Sequence, residues 1–158
     1  GRNGEQHPEI LRMIEEKGHS IGNHTYSHSR LLTYMGILCN EIEKTEKIIA
    51  DITSQTTRLF RPPWGVATPW LKRYLRKHAY ELVLWDIDTK DWKGIPGKEI
   101  AKKIRINVRD NVIVLLHDGD RKRLKRSRHN TLEALQLIIP PLIKQGYDFL
   151  SLPIGIER

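Results

Sequence analysis

One cysteine, two phenylalanines and a shortage of acid against base set the first limits on this sequence. A lone Cys39 excludes an internal disulfide and cannot build a cysteine zinc cluster; its expected place is a small, partly buried apolar position. No segment approaches the roughly 20 apolar residues that cross a bilayer, and no charged-then-apolar leader opens the chain. The first residue is Gly1 rather than methionine, so the chain is expected to be cut from a longer one, and a leader or anchor is compatible with that absence. Acids number 19 against 27 Lys and Arg, a net charge of +8 that suits a polyanion. Most of the excess sits in Arg121-Lys122-Arg123-Leu124-Lys125-Arg126-Ser127-Arg128, a solvated loop or one suited to a polyanion such as teichoic acid or an acidic glycan. No zinc-finger, homeodomain or RNA-recognition pattern is present, so a specific nucleic-acid partner is not expected. At 158 residues the chain is long enough for one domain with its own core, 1–158, and short for two.

The pattern of what remains alternates helix and strand. Pro8 to Lys17 reads as a helix stopped by Gly18, and Ser20-Ile21-Gly22 as a short strand. Leu38, Ile42, Thr45, Ile49 and Ile52 recur at helical spacing and predict one long helix from Leu31 to Ile52. Ser54 to Thr57 is expected as a turn. Leu59-Phe60 steps into Arg61-Pro62-Pro63-Trp64-Gly65, where two prolines predict a rigid irregular loop. Thr68 and Pro69 open a helix to about Lys77. Tyr80 to Ile87 reads as a strand covered on both faces, Gly94 to Gly97 as a turn, Lys98 to Val108 as a helix and Asn111 to Leu116 as a buried strand. Asn130-Thr131-Leu132-Glu133 resembles a capping box opening a helix toward Gln145, bent or interrupted at Pro140-Pro141 and closed by Gly146. Tyr147 to Leu152 is the last expected strand. The class is α/β with a parallel sheet, and its polar residues fall just after the strands, where sites form in such folds.

His24 and His28 lie four residues apart, so on a helical turn both rings can face one cation. The same spacing describes two surface histidines, and a catalytic zinc-type site needs about three protein ligands. The flanking motifs decide the matter. His24-Thr25-Tyr26-Ser27-His28 is similar to an H-[ST]-x-x-H metal motif, Phe60-Arg61-Pro62-Pro63-Trp64-Gly65 to R-P-P-[YW]-G, Asp88-Thr89-Lys90-Asp91-Trp92 to D-x-x-D-W, and Leu115-Leu116-His117 to L-x-H. With these in order, the chain resembles the polysaccharide deacetylases of the NodB-homology type, carbohydrate esterase family 4, over essentially its whole length.

The resemblance implies a distorted, incomplete (β/α) barrel and metal-dependent removal of N-acetyl or O-acetyl groups from a polysaccharide such as peptidoglycan or a chitin-type glycan. It implies His24 and His28 as ligands of a divalent metal, zinc first and cobalt, nickel or manganese as alternatives. His117 would be the general acid, Asp91 its orienting partner, and Arg61 the residue that in the family pairs with the base aspartate. Trp64, Trp92, Leu115 and Pro63 would line the substrate groove, with the Trp64 N–H as an oxyanion donor. Leu115 serves equally as strand core, the tryptophans as packing aromatics, and Asp86 or Asp88 as the orienting acid. His7, His19, His78 and His129 are taken as surface or structural. The family's T-F-D-D motif, source of the base and third ligand, does not occur here. The chain is therefore expected to lack the first one or two β/α units and to be inactive alone; the rival expectation is a non-catalytic glycan-binding relic. The family also implies an extracellular or cell-surface place in a bacterium.

Overall fold

The computed structural model describes residues 1–119 and 128–152. The basic run expected to meet an anionic polymer lies outside the described residues, Arg128 excepted. Contacts divide the chain into two compact units, one of Gly1–Leu84 joined by the chain from Leu150, the other Trp85–Phe149.

The first unit contains helices α1 (Arg2–Gln6), α2 (Pro8–Glu16), α3 (Arg30–Met35), α4 (Cys39–Thr53) and α5 (Pro69–Lys77), with strands β1 (Leu59–Phe60) and β2 (Glu81–Leu82). β1 and β2 run parallel, Leu59 opposite Glu81 and Phe60 opposite Leu82. The strand expected over Ser20–Gly22 does not form, and beside β1 there is instead a single parallel bridge at the next residue, Asn23 to Phe60. Asn23 is fully buried, its amide donating to the Ile42 carbonyl at 2.9 Å and its Oδ1 accepting from the Thr25 N–H at 3.0 Å. That side chain turns the backbone out of the ladder one residue later.

The long helix expected from Leu31 to Ile52 is two helices. Gly36 stands between them at φ 72°, with the Ile37 N–H returning to the Leu32 carbonyl at 3.0 Å, a Schellman closure that glycine makes without strain. Leu38, Ile42, Phe60, Leu71 and Leu75 form the core of this unit. Cys39, expected to be partly buried, is exposed at the first position of α4, because Leu38 beside it takes the core site. The loop expected after Arg61 contains a 3-10 turn, Pro63–Gly65, since Pro63 sits where a helical turn needs no N–H donor. Thr68 caps α5 as expected, accepting from the Leu71 N–H at 3.2 Å.

The second unit contains β3 (Ile87–Asp88), α6 (Gly97–Asn107), β4 (Val114–Leu115) and α7 (His129–Lys144), with a 3-10 turn at Asp91–Lys93. β3 and β4 are parallel, Ile87 opposite Val114 and Asp88 opposite Leu115. The strand expected over Tyr80 to Ile87 is thus divided between β2 and β3. Its backbone changes partner midway: the Val83 N–H goes to the Phe60 carbonyl, whereas the Asp86 and Ile87 N–H groups go to the Ile113 carbonyl. Leu82 and Leu84 are exposed, so the run is not covered on both faces. The strand expected over Asn111 to Leu116 shortens to Val114–Leu115, and Tyr147 to Leu152 contains no strand.

Ile100, Ala101, Ile104, Ala134, Ile138 and Leu142 interleave between α6 and α7. The approach is close enough that a Cβ on Gly97 would lie 2.7 Å from the Glu133 Cβ, which makes glycine the residue that fits there. Pro140 and Pro141 lie inside α7 and do not interrupt it. The carbonyls they leave without a helical donor belong to Gln136 and Leu137, both exposed residues. Nor does Asn130 act in a capping box: α7 begins at His129, and the Asn130 amide donates instead to the carbonyls of Gly94 (3.2 Å) and Ile95 (2.8 Å).

Candidate active site

His24 and His28 are presented by a loop, not the helical turn their spacing suggested. Thr25 and His28 take left-handed backbone conformations, φ 68° and 52°, which L-residues adopt only when surroundings enforce it. The segment is held by the buried Thr25, whose Oγ1 accepts from the His28 N–H at 3.2 Å, and by the Glu41 carboxylate, whose Oε2 accepts from both the N–H and the hydroxyl of Ser27 at 2.7 Å each. The two imidazoles come within 4.9 Å of each other, centroid to centroid, at an interplanar angle of 69°. The Trp64 indole stands 4.3 Å from the His28 ring, also edge to face.

The Nδ1 of His24 is 2.6 Å from the Arg61 carbonyl. A carbonyl only accepts, so Nδ1 carries the proton and Nε2 keeps its lone pair. Desolvation by the surrounding chain, joined by the charges of His28 and Arg61 and opposed by the carbonyl bond, pushes the His24 pKa down to about 4. The residue remains partly open to solvent, yet its ring is neutral at pH 7, the form that binds a cation. Two imidazoles side by side, His24 with its Nε2 lone pair available, fit a borderline divalent metal as two of its ligands. Among the described residues no cluster of three His, Cys, Asp or Glu completes the set. Arg61 lends its carbonyl to His24 while its guanidinium donates to the carbonyls of Val83 (3.3 Å) and Leu84 (3.2 Å). Pro63 is buried, and Trp64, at φ 54°, is 36% exposed.

In the second unit the acid on His117 is Asp91, not Asp86 or Asp88. Asp91 Oδ1 lies 2.8 Å from the His117 Nδ1, and Oδ2 accepts from the His117 N–H at 2.8 Å and the Thr131 hydroxyl at 2.9 Å. Asp88 instead pairs with the Lys90 ammonium at 3.0 Å, and Asp86 accepts from the Ile113 N–H at 2.9 Å. The Thr89 hydroxyl has one proton; it goes to the Leu115 carbonyl at 2.9 Å rather than to Asp91 at 3.3 Å, which ties β4 to the turn carrying Asp91. Leu115 is buried and Trp92 is 44% exposed. Sequence reasoning passed over Thr89, although it lies inside the D-x-x-D-W motif, and assigned Thr131 to a capping box.

The side chain of Asp91 is fully buried. Burial pushes its carboxyl up, but the hydrogen bonds from the His117 ring, the His117 N–H and the Thr131 hydroxyl outweigh it and hold the pKa at about 2. A folded-state pKa below the unfolded one stabilises the protein above the unfolded value, and that contribution disappears as pH falls through the folded one. Urea unfolding between about pH 5 and pH 2 should therefore show a loss on the order of 2 kcal/mol that is absent in Asp91→Asn.

Residues 1–83 match the sequence profile of the polysaccharide deacetylase family. A peptidoglycan-N-acetylglucosamine deacetylase of Bacillus cereus is 33% identical over 154 residues, 97% of this chain and 54% of that protein, so the chain spans about half of that relative. A chitooligosaccharide deacetylase of Azorhizobium caulinodans is 30% identical over 161 residues, 97% of this chain and 77% of that one. The crystal structure of the Bc1960 peptidoglycan N-acetylglucosamine deacetylase, in complex with 4-naphthalen-1-yl-N-oxidanyl-benzamide, matches with a TM-score of 0.82 at 31% identity, over 97% of this chain and 70% of that chain. The α/β fold is accordingly that of the NodB-homology barrels, a family generally dependent on a divalent metal. No helix among the described residues is long and apolar enough to cross a membrane. The chain belongs to the polysaccharide deacetylase family.

Proposed function

We propose that the protein bearing this chain is a metal-dependent hydrolase that removes acetyl groups from an N-acetylated glycan, peptidoglycan first and chitin-type oligosaccharides second. The observation that carries the reading is the His24 and His28 ring pair, with His24 fixed by the Arg61 carbonyl in the tautomer that leaves Nε2 available. His24 and His28 hold the ion, zinc in preference to cobalt, nickel or manganese. The chemistry such an ion supplies when bound is Lewis acidity toward an acetyl carbonyl and a lowered pKa for water. The base and the third ligand are not among the four motifs of this sequence.

The other roles fall to residues of the chain itself. His117 acts as the imidazolium: Nε2 gives its proton to the departing amine and the ring is left neutral with its proton on Nδ1, held by Asp91, which orients the ring and balances the charge of the cation. The Trp64 N–H, on a turn stiffened by Pro62 and Pro63, donates to the oxyanion. The exposed indoles of Trp64 and of Trp92 stack on sugar faces, Leu115 walls the acetyl methyl, and the buried Pro63 supports the turn that carries Trp64. Arg61 positions His24. Peptidoglycan lies outside the cytoplasmic membrane, so the protein works at the bacterial surface, where Arg121 to Arg128 would face anionic wall polymer.

The test is cobalt(II) binding, followed by its visible absorption, together with acetate release from acetylated chito-oligosaccharides by the full-length protein. His28→Ala is expected to weaken cobalt binding at least about 100-fold and to remove turnover. Turnover unchanged in His28→Ala would overturn the assignment. Glycan binding that survives chelation, with no turnover by the wild-type protein, would favour the glycan-binding relic instead.

A further inference from the structure

Three side chains at the start of α7 reach back to the segments that carry Asp91 and His117. Arg128 donates to the Gly119 carbonyl from Nε (3.0 Å) and Nη2 (2.6 Å), two residues after His117. Asn130 donates to the carbonyls of Gly94 and Ile95, at the end of the turn that Asp91 opens. Thr131, itself buried, donates to Asp91 Oδ2 at 2.9 Å across forty residues of sequence. The helix is a firm anchor for them, because Ala134, Ile138 and Leu142 lock it into the core against α6.

The geometry at the carboxylate gives Thr131 a particular task. His117 supplies two donors to Asp91, one to each oxygen, and both move with the histidine. Thr131 supplies a donor that belongs to a different element. Two donors on Oδ2 set the rotation of the carboxylate about its Cβ–Cγ bond, and Oδ1 is thereby aimed at the ring nitrogen. We propose that Thr131 is a positioning residue for the Asp91 and His117 pair, its hydroxyl fixing the carboxylate so that the imidazole keeps a proton on Nδ1 both before and after Nε2 gives its own proton to the leaving group. The inference rests on the deacetylase reading only for its kinetic consequence; the tautomer itself is independent of any activity.

The experiment compares Thr131→Val, which keeps shape and loses the hydroxyl, with Thr131→Ser, which keeps the hydroxyl, in the full-length protein. Thermal melting verifies that each variant folds, and Thr131→Ala serves as a second hydroxyl-free variant if the valine does not. Expected for the hydroxyl-free variants is a fall in kcat on the order of tenfold, the worth of one hydrogen bond to a charged group, with KM changed by less than about twofold. Nitrogen-15 NMR of the His117 ring should show the Nδ1-protonated tautomer in wild type and Thr131→Ser, and a mixture in Thr131→Val. Unchanged ring signals in the hydroxyl-free variants, or a serine variant as impaired as valine, would overturn the proposal. If the wild-type protein shows no turnover, the deacetylase reading fails, and the ring signals alone then decide whether Thr131 positions the pair.

Discussion

Asp91→Asn is expected to reduce deacetylation by on the order of 10³- to 10⁴-fold, the scale seen when a carboxylate that sets a catalytic imidazole's tautomer becomes an amide. Three donors converge on this one side chain: the His117 N–H, the His117 Nδ1–H and the Thr131 hydroxyl. An asparagine has one oxygen to offer. If that oxygen faces the His117 N–H and Thr131, the amide NH₂ faces Nδ1 and drives the proton to Nε2, leaving an imidazole with no partner to stabilise its cation. If the amide turns over, the NH₂ opposes two donors in a fully buried site. Either arrangement strands a buried polar group, so folding stability should also fall by about 2–4 kcal/mol. Steady-state kinetics on acetylated chito-oligosaccharides and urea unfolding read the two effects separately. Wild-type turnover in a folded Asp91→Asn protein would remove Asp91 from the mechanism.

The chemistry of this chain was easier to read than its geometry, for reasons visible at particular residues. Motifs such as Arg61-Pro62-Pro63-Trp64-Gly65 name side chains and their order, and those survive any backbone. The spacing of His24 and His28 suggested a helical turn, whereas a left-handed Thr25 and a hydrogen bond from Ser27 to Glu41 bring the rings together in a loop. Periodicity carried through Gly36 because no pattern of apolar residues registers a single left-handed position. It overextended the strands because Leu82 and Leu84 are apolar and exposed. Thr89 and Thr131 stayed hidden as functional candidates. A threonine in sequence looks like a cap or a strand residue, and only its acceptor, the Leu115 carbonyl for one and Asp91 for the other, reveals its work.

Phe60→Ala should be the most damaging single truncation in the first unit, at about 3–5 kcal/mol for a fully buried phenylalanine. Phe60 has no exposed surface and packs with Leu38, Ile42, Leu71 and Leu75, its ring edge to face with Tyr80 at 6.4 Å. Its backbone sits between two ladders, accepting from the Val83 N–H on one side and bridging Asn23 on the other. The next residue is Arg61, whose N–H bonds to the Asn23 carbonyl at 2.9 Å and whose own carbonyl holds His24. A cavity at Phe60 therefore loosens the strand that orients a proposed metal ligand. Cobalt affinity should weaken along with stability, although Phe60 contributes no ligand atom. Phe60→Leu refills most of the space and should cost less than about 1.5 kcal/mol, with cobalt affinity close to wild type. Urea unfolding and cobalt titration of both variants, in the full-length protein, test the chain of cause. A Phe60→Ala protein that loses the expected stability yet binds cobalt as wild type does would show that the Arg61 carbonyl is placed by the Asn23 bridge and the proline turn, independently of the core beneath it.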